Sequence, residues 1–104
     1  MSTWIPACKT GDIDAEDIIP FEHDGNQYAI YRSDDDQFYA TDGYCTHERE
    51  LLCDGLVMGN TIECPKHNGR FDYSSGAAQG APVITDLRTY PVKIDDDTVY
   101  IGIG

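Results

Sequence analysis

The amino-acid sequence predicts an all-β fold built from antiparallel sheets. Short runs rich in aromatic and β-branched residues alternate with period two between Asp/Gly/Asn clusters, and no stretch keeps a helical period. The length agrees with one unit. The chain has 104 residues, 40% of them hydrophobic, and no repeat, low-complexity tract or linker divides it. One domain over residues 1–104 is expected, with a core small enough to gain from a staple such as a metal centre.

The elements follow in order. Cys8 sits in an apolar N-terminal strand and is expected in the core. Residues 13–19 are too acidic for a convincing helical turn and read as a solvated loop or strand edge. Asp24-Gly25-Asn26 marks a turn, because these residue types tolerate positive φ. Residues 27–32 and 37–41 then form a hairpin around Ser33-Asp34-Asp35-Asp36. From 42 to 82 the chain is rich in Gly, Cys and His and poor in alternation, so it reads as loops carried by a β-scaffold. A second hairpin joins residues 89–94 to 98–101 around Asp95-Asp96-Asp97. In it Tyr90, Val92 and Ile94 share one face, and Val99, Ile101 and Ile103 repeat the period. Trp4, Tyr28, Tyr31, Tyr39, Tyr90 and Tyr100 have strand spacing and are assigned to core and cross-strand packing rather than to ligand stacking.

Charge and cysteine usage bound the function. With 19 acidic and 7 basic residues the formal charge is −12, which disfavours nucleic acid and anionic membranes as partners. The acidity serves solubility, or steering toward a basic patch on a protein partner. Both acidic triplets fall in turns and are expected to be solvated; residues 12–17 are the better docking candidate. No run of 18 apolar residues crosses a membrane, and the N-terminus lacks the basic start and apolar stretch of a signal peptide, so a cytoplasmic protein is expected. There the four cysteines read as metal ligands or free thiols, and a Cys8–Cys53 disulfide is not expected.

Two motifs carry the chemistry: Cys45-Thr46-His47 and Cys64-Pro65-Lys66-His67, with 16 residues between His47 and Cys64. Each offers one thiolate and one imidazole. Zinc is the first candidate for such a set. Wrapping one tetrahedral ion is awkward with a single residue between Cys45 and His47, and a binuclear site suits that spacing better. A [2Fe–2S] cluster with two Cys on one iron and two His on the other meets the demand.

Cys-x-His followed by Cys-x-x-His at this separation resembles the Rieske iron–sulfur signature. Leu52 after the first motif, Pro65, Gly69 and Phe71 in the second, and Gly80-Ala81-Pro82 as a covering loop resemble the family's flanks. The resemblance implies the Rieske fold, antiparallel sheets with a loop-built cluster-binding subdomain at about residues 43–82. It implies one [2Fe–2S] cluster per chain, with Cys45 and Cys64 on the inner iron and His47 and His67 on the outer one.

The resemblance also selects a branch. Respiratory Rieske proteins carry an extra disulfide-forming cysteine in each loop; here Glu50 and Lys66 stand in those places. Gly69 and Phe71 replace hydroxyl residues that bond the cluster there, so a potential at the low end of the Rieske range, about −150 mV, is expected. A Rieske oxygenase would need two more histidines for a mononuclear iron, and beyond His47 and His67 the chain has only His23. The implied role is therefore a monomeric ferredoxin, itself no enzyme, carrying single electrons from a reductase to a terminal oxygenase. The loops look most like the rhizopine-catabolism type. The alternatives are a Rieske-like small subunit of assimilatory nitrite reductase and a non-redox zinc-binding module. Glu48 and Asn68 depart from the family's glycine after each histidine; Asn is a reasonable substitute at positive φ. Lys66 and Arg70 are expected to balance Glu48, Glu50 or Glu63, and His23 to be a solvated turn residue.

Overall fold

The computed structural model describes residues 3–46, 49–65, 68–80, 83 and 85–103. Ten strands lie among them: β1 (Thr3–Lys9), β2 (Asp17–His23), β3 (Asn26–Arg32), β4 (Phe38–Asp42), β5 (Leu56–Met58), β6 (Thr61–Glu63), β7 (Arg70–Asp72), β8 (Thr89–Tyr90), β9 (Val92–Asp95) and β10 (Thr98–Ile103). All paired neighbours are antiparallel, in three sheets ordered β1-β10-β9, β2-β3-β4-β8 and β5-β6-β7. No helix among the described residues is long and apolar enough to cross a membrane.

The turns form where the sequence supplies residues that accept positive φ. Asp24 (50°) and Gly25 (79°) reverse the chain between β2 and β3, so Asp17 lies opposite Arg32 and His23 opposite Asn26. Asp36 (63°) does the same between β3 and β4, and Asp96 (53°) between β9 and β10. Both acidic triplets are exposed, as expected, although Asp36 is also held by Arg32 at 3.0 Å. In β1 the register slips between Pro6 and Cys8. Pro6 has no N–H to give the ladder, and Ala7 is the extra residue of the bulge.

β3 is the structural hinge of the core, because Tyr28, Ala29, Ile30 and Tyr31 are all buried. Alternate side chains leave opposite faces of a strand. Tyr28 and Ile30 pack toward Ile101 and Val99 of β10, whereas Ala29 and Tyr31 join a cluster containing Leu52, Ile62, Phe71, Tyr73 and Leu87. One strand thus welds the sandwich to the loop-bearing part of the molecule.

Five expectations need correction. Residues 42–82 are not loops alone: β5, β6 and β7 form a small sheet, whose three-residue strands are too short to show alternation. Residues 89–94 are not one strand, since Pro91 divides β8, paired with β4, from β9, paired with β10. Ile94 lies opposite Val99, on the same face of the sheet, but on the edge strand β9 it is 44% exposed rather than buried. Trp4 is also exposed on its sheet's outer side, where Lys93 stands 4.8 Å above its ring and 5.6 Å from that of Tyr100. His23 is half-buried at the end of β2 and stacked on Phe21 at 6.3 Å rather than fully solvated.

Candidate metal centre

Both cysteine motifs sit on loops closed in the same way. Tyr44 and Leu51 form an isolated antiparallel bridge, inside which the Cys45 N–H donates to the Glu50 carbonyl at 3.0 Å. The Leu52 N–H then donates to the Gly43 carbonyl at 2.8 Å. The second loop leaves β6 after Glu63 and returns to β7 at Arg70, and the Cys64 N–H donates to the Gly69 carbonyl at 2.6 Å. Asn68 adopts φ 57°, the conformation expected of an Asn in a glycine position. In each case the cysteine amide is tied to the carbonyl five residues on.

The thiols point into the protein. Cys45 is 6% exposed and Cys64 1%, and both belong to the apolar cluster with Leu52, Ile62, Phe71, Tyr73, Val83 and Leu87. Neither is in a disulfide. His47 and His67, together with Glu48, Lys66, Ala81 and Pro82, lie outside the described residues. Arg70 pairs with Glu63 at 3.7 Å, the local charge balance expected of it.

Described residues between Gly76 and Arg88 strap the two loops together, on both sides of the boundary at 82 that the sequence suggested. Gly76, at φ 83°, approaches the Leu87 carbonyl so closely that a Cβ would lie 2.2 Å from it, and the Leu87 N–H donates back to the Gly76 carbonyl at 2.8 Å. The Ala78 N–H donates to Asp86 at 2.9 Å. From this strap Thr85 accepts a 2.7 Å bond from the Thr46 hydroxyl, beside Cys45. Val83, 1% exposed, lies against Gly69, beside Cys64. Thr46, Val83 and Thr85 were not singled out by sequence reasoning, since Thr85 acts through its backbone carbonyl and Val83 through shape.

The remaining cysteines are free thiols in other surroundings. Cys8 is half-buried on β1, and burial, aided by the Asp12 carboxylate, pushes its thiol up to about 11. Cys53 lies on a short 3-10 turn, Leu52–Asp54, where burial and then Asp54 raise its pKa. They pack against different core clusters.

Two buried thiols on matched loops in an apolar cradle form a fitting donor set for iron and sulfide: soft thiolate ligands shielded from water. Relatives agree with that chemistry. Residues 3–91 match the model of the Rieske [2Fe-2S] domain. The ferredoxin component of the naphthalene 1,2-dioxygenase system of Pseudomonas putida is 41% identical over 101 residues, covering 97% of this chain and 96% of its own. The Sphingomonas yanoikuyae B1 ferredoxin superposes with a TM-score of 0.91 at 32% identity, covering 98% of this chain and 100% of that one. A chain in the complex of reduced oxygenase and oxidized ferredoxin in carbazole 1,9a-dioxygenase does so with 0.90 at 32% identity, covering 95% and 92%. The chain belongs to the Rieske [2Fe–2S] family, and its cofactor is a [2Fe–2S] cluster of the Rieske type.

Proposed function

We propose that this chain is a soluble cytoplasmic one-electron carrier, taking electrons from a reductase and delivering them to a terminal oxygenase. Cys45 and Cys64 would hold one iron of the cluster and His47 and His67 the other. The observation that carries this reading is the pair of buried cysteines on identically closed loops under a common strap. The naming of the Pseudomonas putida relative as the ferredoxin component of a dioxygenase system supports the oxygenase as recipient.

When bound, the cluster supplies reversible one-electron chemistry at a potential above that of all-cysteine clusters. The protein's part is positional. Burial of Cys45 and Cys64 keeps water from the thiolates, and the amide bonds to Glu50 and Gly69 fix where each cysteine stands. The strap ties both loops through Thr46–Thr85 and Gly69–Val83, which restrains the positions of Cys45 and Cys64. The chain is a carrier and not the oxygenase. Its third histidine, His23, stacks on Phe21 at the end of β2, with Asp24 at 3.4 Å. β1 pairs with β10 in one sheet, which supports reading residues 1–104 as one domain; in this reading it acts as a monomer. Cys8 and Cys53, unpaired although half-buried, suit a reducing compartment.

The test is spectroscopic and then kinetic. The purified protein should contain two irons and two sulfides per chain and give a Rieske-type EPR signal after reduction. Cys45→Ser or Cys64→Ser should abolish the visible absorption. In a reconstituted assay, oxygenase turnover should depend on this chain. Zinc in place of iron would overturn the reading. Stoichiometric co-purification with a large reductase subunit would assign the chain to a nitrite-reductase-like complex instead.

A further inference from the structure

The basic residues of this acidic chain are unevenly employed. Arg32 is tied to Asp36 and to the carbonyls of Thr10 and Ile13, and Arg70 faces Glu63. Lys9 bonds Thr98, and Lys93 sits between the rings of Trp4 and Tyr100. Arg49 and Arg88 differ. Among the described residues neither has a carboxylate within ion-pair distance. Each guanidinium instead stands over a tyrosine ring, Arg49 over Tyr44 at 4.8 Å and Arg88 over Tyr90 at 5.1 Å. Both line one open groove of about 680 Å³, and so do Cys45 and Thr46 of the first loop.

The groove's electrostatics run against those of the whole molecule. Asp42 is the single carboxylate among the described residues that line it, and the Tyr90 hydroxyl donates to it. Among the described residues, two cations therefore face one capped anion there, in a chain of formal charge −12. Stacking on tyrosine holds each guanidinium plane in place while leaving its N–H fork available to an incoming carboxylate. Both arginines are exposed, so water weakens any single contact with a free anion. Such a contact becomes useful when a wider interface excludes that water.

We propose that the groove between Arg49 and Arg88 receives an acidic side chain projecting from an otherwise basic surface of the redox partner. The surrounding acidity of the carrier attracts the basic surface, and the arginine pair sets its orientation by accepting one acidic prong beside the Cys45 loop. This inference rests on the carrier reading above.

Two peptides test it, each with a pair of lysines at both ends and differing only at the centre, glutamate in one and glutamine in the other. Binding to the oxidised holoprotein is measured by calorimetry at low salt. The glutamate peptide should bind about tenfold more tightly, although net charge alone favours the glutamine peptide on an acidic protein. Arg49→Gln with Arg88→Gln should erase the preference. Lys9→Gln with Lys93→Gln, which changes the net charge equally, should keep it. Equal or tighter binding of the glutamine peptide to the wild type, or a preference that survives in the arginine variant, would overturn the proposal. Iron content and EPR of the same samples separate the two claims. A protein without the cluster refutes the carrier reading, whereas an intact cluster without glutamate preference refutes the groove alone.

Discussion

At the scale of single residues, the contact between Gly69 and Val83 is the tightest constraint on the second loop. A Cβ at position 69 would lie 2.6 Å from the Val83 Cγ1, inside any normal carbon contact, and Val83 is fully buried. Gly69→Ala should therefore destabilise the holoprotein by about 1–3 kcal/mol, the usual cost of overpacking. It should also lower the ratio of visible to ultraviolet absorbance as cluster is lost. Val83→Ala opens the space, so the double variant should be less destabilised than the sum of the singles. Additive thermal shifts would show that the clash is not what ties the strap to the loop. Asn68 and Gly69 were legible as turn residues from their types alone. That Gly69 is required by a valine fourteen positions on was not, because the contact is made only after the strap folds back.

At the scale of elements, the packing of β3 against the loop-bearing part rests on a tyrosine pair. Tyr31 and Tyr73 stack with ring centroids 4.4 Å apart and planes 1° from parallel, and Tyr39 meets Tyr73 edge-on at 5.6 Å. The Tyr31 hydroxyl shares a 2.8 Å bond with Thr41, and the Tyr73 hydroxyl donates to the Gly59 carbonyl at 2.6 Å. Burial, more than the neighbouring acidic groups, pushes Tyr73 up from 10 to about 12; burial likewise raises Tyr31 against the lowering effect of its bond to Thr41. The folded state thus holds these protons more tightly than the unfolded chain does. Their contribution is complete below pH 10 and declines as pH rises from 10 toward 12. Cys8 acts in the same direction from pH 9 to about 11. Tyr73→Phe keeps the stack and loses one hydrogen bond, about 1 kcal/mol at neutral pH. Its thermal midpoint should fall less steeply than the wild type's above pH 10. An unchanged slope would mean that Tyr73 does not ionise on unfolding. The hairpin that carries Tyr31 was readable from its aromatic runs and acidic turn, but the burial of both its faces was not. Period-two patterns mark one buried face, and a strand covered on both sides loses that signal.

At the scale of the whole molecule, the core is divided. The clusters around Ile30, Val99, Tyr28 and Ile101 join β3 to the terminal strands, whereas Cys45 and Cys64 belong to the cluster beneath the loops. Metal removal should therefore act unevenly. After chelation of iron, amide exchange should accelerate across residues 43–87 while β1 and β10 stay protected, because their ladder and side chains do not involve the cysteine loops. Uniform loss of protection would show the two halves to be one cooperative unit. The formal charge of −12 adds a second expectation: electron delivery to a basic partner should slow as salt rises, since screening shortens the reach of the attraction.

By itself the sequence determined the fold class, the turns, the cofactor and the family, because these depend on residue types at short separations. A Cys-x-His or an Asp-Gly keeps its chemistry wherever the chain goes. Only the tertiary structure decided that three-residue strands carry the second loop, that Pro91 parts two sheets, and that Thr46 meets Thr85 across 39 positions. It also decided that Arg49 and Arg88 share one groove. Those arrangements come from contacts between distant segments, whose entropic cost is offset only when the whole core closes, so no local pattern announces them.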